Sequence, residues 1–137
     1  MNTNITGTEA IITMISGIGV DIVDISRIER LLISPRFLER VFTENERARF
    51  ERVNHSPQSI AGVFAAKEAV SKALGTGFRG FNTRDIEILP DNSGSPFVHL
   101  YNGALERFSY LGGASIHISI SHERNYAVAM AVLESGQ

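Results

Sequence analysis

The chain of 137 residues contains no cysteine and no tryptophan. The first absence excludes disulfides, thiolate nucleophiles and zinc–cysteine sites, and it fits a reducing compartment. Long apolar runs are also missing, none approaching the ~18 residues of a membrane span. Neither sign of charge dominates. Thirteen Lys and Arg against fifteen Asp and Glu leave a net charge of −2, too weak a field to predict attraction to nucleic acid or acidic membranes. Met1 to Ala10 lack the basic segment that opens a signal peptide, so a cytoplasmic location is expected. Lysine itself is scarce. Of thirteen basic residues only Lys67 and Lys72 are lysine, and both fall in one segment.

What is present describes an ordinary folded domain. Hydrophobic residues make up 43% and charged residues 20%, which argues against disorder. The length fits one domain of ~100–150 residues. Residues 1–13 are polar and read as an N-terminal extension, expected to be disordered or to add a strand end. Residues 14–137 then form the single domain.

Period-two alternation predicts a strand over Ser16–Val23, with Ile18, Val20 and Ile22 on one face and Gly17, Gly19 and Asp21 on the other, where nothing bulky covers the carboxylate. Asp24 suits the N-cap of a helix reaching Leu32, with Ile25, Ile28 and Leu32 inward. Ser34-Pro35 predicts a serine-capped restart. Thr43 to Glu46 is a capping box, and Ser56-Pro57 opens the longest helix, which ends at Leu74 before Gly75-Thr76-Gly77. The second half reads as strands at Asp85–Leu89 and Phe97–Leu100, a helix over Tyr101–Leu111, and strands at Ser115–Ser121 and Tyr126–Leu133. This order predicts an α+β domain on an antiparallel sheet, packed with one long helix and several short ones.

The long helix carries the chemistry. At about 100° per residue, Val63, Ala66, Ala69, Val70, Ala73 and Leu74 share one side. Glu68 and Lys72 lie one turn apart on another, in line with Ala61 and Ala65. That stripe reads as a surface something large can approach. The glycines that follow offer backbone N–H groups to phosphate oxygens. Each feature alone has a plainer reading. Glu68 and Lys72 suit a surface ion pair worth ~0.2–0.5 kcal/mol, the glycines suit a helix C-cap, Asp21 suits a strand end and His122 a turn. No metal-ligand spacing such as H-E-x-x-H is present.

The combination is more specific. Gly17-Ile18-Gly19-Val20-Asp21-Ile22-Val23, then Phe64-Ala65-Ala66-Lys67-Glu68-Ala69 with Ser71-Lys72-Ala73-Leu74-Gly75-Thr76-Gly77, then Ser119-Ile120-Ser121-His122 with Tyr126-Ala127, resemble the 4′-phosphopantetheinyl transferases. The likeness runs from about Met14 to Glu134. It implies that family's fold and its reaction, in which the phosphopantetheine arm of coenzyme A moves to a serine of apo acyl carrier protein, leaving adenosine 3′,5′-bisphosphate. Fatty acid biosynthesis is the implied setting and a homotrimer with sites at subunit boundaries the implied assembly.

By motif, the resemblance makes Asp21 and Glu68 ligands of Mg²⁺, a hard cation that takes oxygen donors. It makes Glu68, Lys72 and His122 catalytic. Lys72, Gly75, Gly77 and His122 fall to the coenzyme A site, and Arg27 and Arg36 to the acidic carrier protein. The general base stays open between His122 and a water held by the metal or Glu68. Lys67 stays open between a structural role and a nucleotide contact. Two positions depart from the pattern. Val63 stands where arginine is common, and Glu123 follows His122 where a small hydroxyl residue is common. Glu123 is expected to point away, to pair with Arg124 or to lie near the metal. Residues 1–13 have no family counterpart.

Overall fold

The computed structural model describes residues 12–136, and the expectation for residues 1–11 lies outside them. Strand β1 (Thr13–Asp24) leads into three short helices, α1 (Ile25–Leu31), α2 (Arg36–Val41) and α3 (Glu44–Arg52), and then the long α4 (Pro57–Ala73). A 3₁₀ turn (Thr83–Asp85) precedes β2 (Ile86–Pro90) and β3 (Pro96–Leu100). Helix α5 (Asn102–Tyr110) and strands β4 (Gly113–His122) and β5 (Tyr126–Gly136) follow. The α+β class is as expected, but the strands form two antiparallel sheets, β1-β5-β4 and β2-β3. Thr13, expected in the extension, pairs with Gly136 at the start of β1.

Local chemistry sets most boundaries. Asp24 caps α1 by accepting from the Ser26 N–H. Thr43 and Glu46 form the reciprocal capping box of α3. Ser56 accepts from Ser59 N–H, and Pro57 opens α4. Ser34 is the exception. Helix α2 starts one residue later, at Arg36 after Pro35, with no side-chain cap.

Helix α4 lies on the three-stranded sheet through small residues. Ala61, Ala65, Ala66, Ala69 and Ala73 are buried against a sheet face that presents Ala127, Ala129, Ala131 and Leu133. Opposite β1 there is room for no side chain at all. A methyl group built on Gly17 would lie 2.0 Å from Ala73 O, and one on Gly19 1.9 Å from Ala69 O. The glycine face of β1 is therefore covered by helix backbone, not open as the alternation suggested. Ile18, Val20 and Ile22 point the other way and are exposed at 67%, 59% and 65%. Phe42, Phe50, Ile60, Leu74 and Ile86 complete the core between α4, the short helices and β2.

Candidate active site

Asp21 shares the face of β1 that carries Gly17 and Gly19, one register step beyond the closest approach of α4. The Lys72 ammonium crosses from the helix to the strand, donating to Asp21 Oδ1 at 3.0 Å and to Val20 O at 2.9 Å. The lysine thus pairs with the strand, and the surface ion pair with Glu68 does not form. Burial, and then the nearby Asp21 carboxylate, push the Glu68 carboxyl above its ordinary range, while Lys72 and Arg27 pull it back. Asp21, Glu68 and Lys72 are therefore brought together as the motif implied. Ala61 and Ala65, expected to extend this open stripe, are fully buried. Only the end of the helix face nearest Lys72 is accessible.

Gly75 and Gly77 have positive φ of 82° and 58°, the left-handed backbone that closes helices. Gly75 N–H donates to Lys72 O and Gly77 N–H to Ser71 O at 3.1 Å. These two donors are spent on the helix end, so the expected offer of their N–H groups to phosphate fails. At the two glycine positions themselves the loop beside Lys72 carries no side chain.

His122 is not brought to this group within the chain. It pairs with Ala127, which pairs with Val23, whereas Asp21 pairs with Ala129 and through it faces Ile120. Two strand spacings of ~4.8 Å and a two-residue offset separate them. His122 instead lines a cavity of about 290 Å³ with Arg49, Ser59, Val63, Gly94 and Pro96. Val63 thus sits in the same cavity as His122, and so does Arg49, a cation that nothing in the sequence had marked. The Glu123 carboxylate points back into its own turn, accepting from Asn125 N–H at 2.7 Å and Tyr126 N–H at 2.9 Å.

Lys67 is structural. Its ammonium is buried against Glu46 Oε1 at 2.7 Å and donates to Thr83 O and Ile86 O. Burial lowers its pKa, opposed by Glu46, and burial raises that of Glu46. Glu46 therefore serves both the α3 capping box and this pair, and a carboxylate 21 positions from its lysine gives no sequence signal.

The four arginines Arg27, Arg30, Arg36 and Arg40 of α1 and α2 are exposed. Arg27 lies over the Phe64 ring, 5.8 Å from its centroid, and near enough to Glu68 to lower its pKa. Between the two helices Ile33 is 83% exposed, an apolar tip among cations that the sequence reading had passed over.

This chain, with two carboxylates on neighbouring elements and a lysine bonded to one of them, is similar to known proteins. The model of the family described as the 4′-phosphopantetheinyl transferase superfamily matches residues 17–131. The chain belongs to that superfamily of enzymes. Within it, the similarity is to holo-[acyl-carrier-protein] synthases. The protein of that name from Clostridium tetani is 49% identical over 122 residues, covering 88% of this chain and 97% of the relative. The crystal structure of the Bacillus anthracis holo-(acyl-carrier-protein) synthase in complex with CoA (3′,5′-ADP) matches with a TM-score of 0.75 and 41% identity, covering 89% of this chain and 98% of that one. The Helicobacter pylori synthase in complex with coenzyme A matches with a TM-score of 0.75 and 36% identity, covering 85% and 98%.

Proposed function

We propose that this chain transfers the 4′-phosphopantetheine group from coenzyme A to a serine of apo acyl carrier protein, in a Mg²⁺-dependent reaction that releases adenosine 3′,5′-bisphosphate. The observation that carries the reading is the meeting of Asp21, Glu68 and Lys72 at one end of α4. The setting is fatty acid biosynthesis in the cytoplasm.

The donor set fits Mg²⁺. Two carboxylates held close enough for one to raise the pKa of the other call for a counter-charge. Among the described residues no third His, Cys, Asp or Glu joins them. Mg²⁺ commonly takes one or two carboxylates and completes its shell with waters and substrate phosphates. Bound there, it would supply charge neutralisation at a pyrophosphate under attack. Lys72, its ammonium held at this end of α4 by Asp21 and the β1 carbonyl of Val20, is the cation that would meet the leaving phosphate. Gly75 and Gly77 carry no side chain of their own to keep a pyrophosphate from the loop, and a carbon built on Gly77 would meet nothing within 4 Å.

His122 completes the site from a second protomer. The outer face of the β1-β5-β4 sheet carries Ile18, Val20 and Ile22 beside Val128 and Met130, all exposed. An apolar patch of this kind marks an association surface, and it supports a homotrimer with sites at subunit boundaries. There the partner subunit's His122, with its cavity, faces the carboxylates. His122 and a water on Glu68 both suit the role of general base for the serine proton. Arg27 and Arg36 receive the acidic carrier protein.

The test is incubation with coenzyme A, Mg²⁺ and apo acyl carrier protein, read by mass spectrometry. A gain of one phosphopantetheine on the carrier is expected. An unmodified carrier beside an active relative overturns the reading, and bisphosphate release without any carrier assigns hydrolysis instead.

A further inference from the structure

The proposed coenzyme A loop sits at the electrically unfavourable end of its helix. Free carbonyl groups at a helix C-terminus carry a partial negative charge equivalent to about half an electron. A pyrophosphate brought to Gly75 and Gly77 meets that charge. The N–H groups of the two glycines cannot offset it, being bonded to Lys72 O and Ser71 O. Lys72 offsets part of it, but its ammonium is shared with Asp21 and Val20 O.

Another cation at this end comes from a separate element, α5. Arg107 in α5 donates from Nε to Leu74 O at 2.9 Å. A methyl group built on Gly75 would lie 3.4 Å from Arg107 Nη2, so the guanidinium borders the loop. Its guanidinium carbon stands 5.3 Å from the Tyr110 ring centroid. The carbonyls of Val70, Ser71 and Lys72 are satisfied by backbone N–H groups of Leu74, Gly77 and Gly75, whereas Leu74 O is met by this side chain. The surface depression around Arg107 also holds Glu106 and Arg79, and Arg79 Nε donates to Thr76 O of the same loop at 3.3 Å, adding a further cation there.

We propose that Arg107 is a positioning residue for the coenzyme A site. It fixes the turn from Leu74 to Gly75 and sets a permanent positive charge against the C-terminal dipole of α4, where the pyrophosphate must sit. The inference rests on the reading of Gly75 and Gly77 as coenzyme A contacts.

Three substitutions separate its two contributions. Arg107→Lys keeps charge, Arg107→Gln keeps a donor without charge, and Arg107→Met keeps neither. Coenzyme A affinity is measured on the full chain with Mg²⁺ by calorimetry, at low and moderate salt, beside kcat, both KM values and thermal melting. The Gln and Met variants are expected to bind coenzyme A about five- to tenfold more weakly at low salt, with kcat and the KM for the carrier protein within about twofold. The Lys variant recovers most of the loss. The Lys–Gln comparison decides, since both side chains are long and donor-bearing and neither buries an unpaired charge. Equal affinity across the parent, Lys and Gln proteins overturns the role of Arg107 alone, as does a Lys variant as weak as Gln. A parent that binds no coenzyme A overturns the underlying reading with it.

Discussion

Lys72 Nζ lies 3.0 Å from Asp21 Oδ1, joining a helix to a strand across 51 residues of sequence. This contact holds a cation beside two carboxylates, Asp21 and Glu68, that otherwise repel one another. Asp21→Asn and Glu68→Gln are expected to reduce transfer by at least about a hundredfold, since each removes an oxygen charge from the proposed metal site. Stability changes stay within about 1 kcal/mol, because the Lys72 side of the ion pair is half-exposed. Mass-spectrometric turnover with a urea titration checks both. Near-normal rates in the two variants sink the metal assignment.

Glu68 titrates above the ordinary carboxylate range through burial and the charge of Asp21. Protons compete with the cation for its oxygens, so activity is expected to fall as pH drops through that raised value. The stability sign is opposite. A group bound more tightly to its proton in the folded state contributes stability below its unfolded pKa, and that contribution is lost as pH rises through the folded value. In Asp21→Asn the like charge is gone, and the Glu68 carboxyl resonance is expected to titrate at lower pH. An unmoved carbon NMR titration would refute the coupling.

The buried pair of Glu46 and Lys67 is expected to resist removal of one partner far more than of both. Glu46→Leu alone strands a buried ammonium and costs about 3–5 kcal/mol, whereas the double variant Glu46→Leu, Lys67→Met costs much less. Denaturant midpoints measure this. Equal losses in the single and double variants contradict the pairing.

The exposed face of Ile18, Val20 and Ile22 provides a test of assembly. Val20→Lys places a charge amid that face and is expected to shift sedimentation toward a single protomer, with the monomeric fold intact by circular dichroism. Activity falls with it, since His122 then lacks the neighbouring carboxylates. An unchanged sedimentation coefficient argues against this surface.

Several elements were legible because their signals are local. Asp24, the Thr43–Glu46 box and Ser56-Pro57 announce helix starts through contacts within four residues. The trio of Asp21, Glu68 and Lys72 was legible through its motifs, not through spacing, which had suggested that Glu68 and Lys72 pair with each other. Alternation in β1 showed which residues share a face but not which face is packed. Ile18, Val20 and Ile22 look like core by composition and are exposed, because α4 needs the glycine side to come close. The separation of His122 from Asp21 follows from β5 lying between β1 and β4, an order of strands that no local pattern encodes. Arg107 and Arg49 likewise acquire neighbours only through tertiary packing.

The contact of Gly17 and Gly19 with the main chain of α4 has a consequence for the distance between Asp21 and Glu68. Where side chains separate a helix from a strand, that distance varies with their rotamers and with substitutions in the layer between. Here two main chains rest on each other, and an added carbon would clash with a carbonyl oxygen at 2.0 Å or 1.9 Å. The spacing of the two main chains that carry the carboxylates is therefore gauged by peptide groups. Repacking of the remote core around Phe42 and Phe50 can loosen the domain without altering the span across which a cation would be gripped.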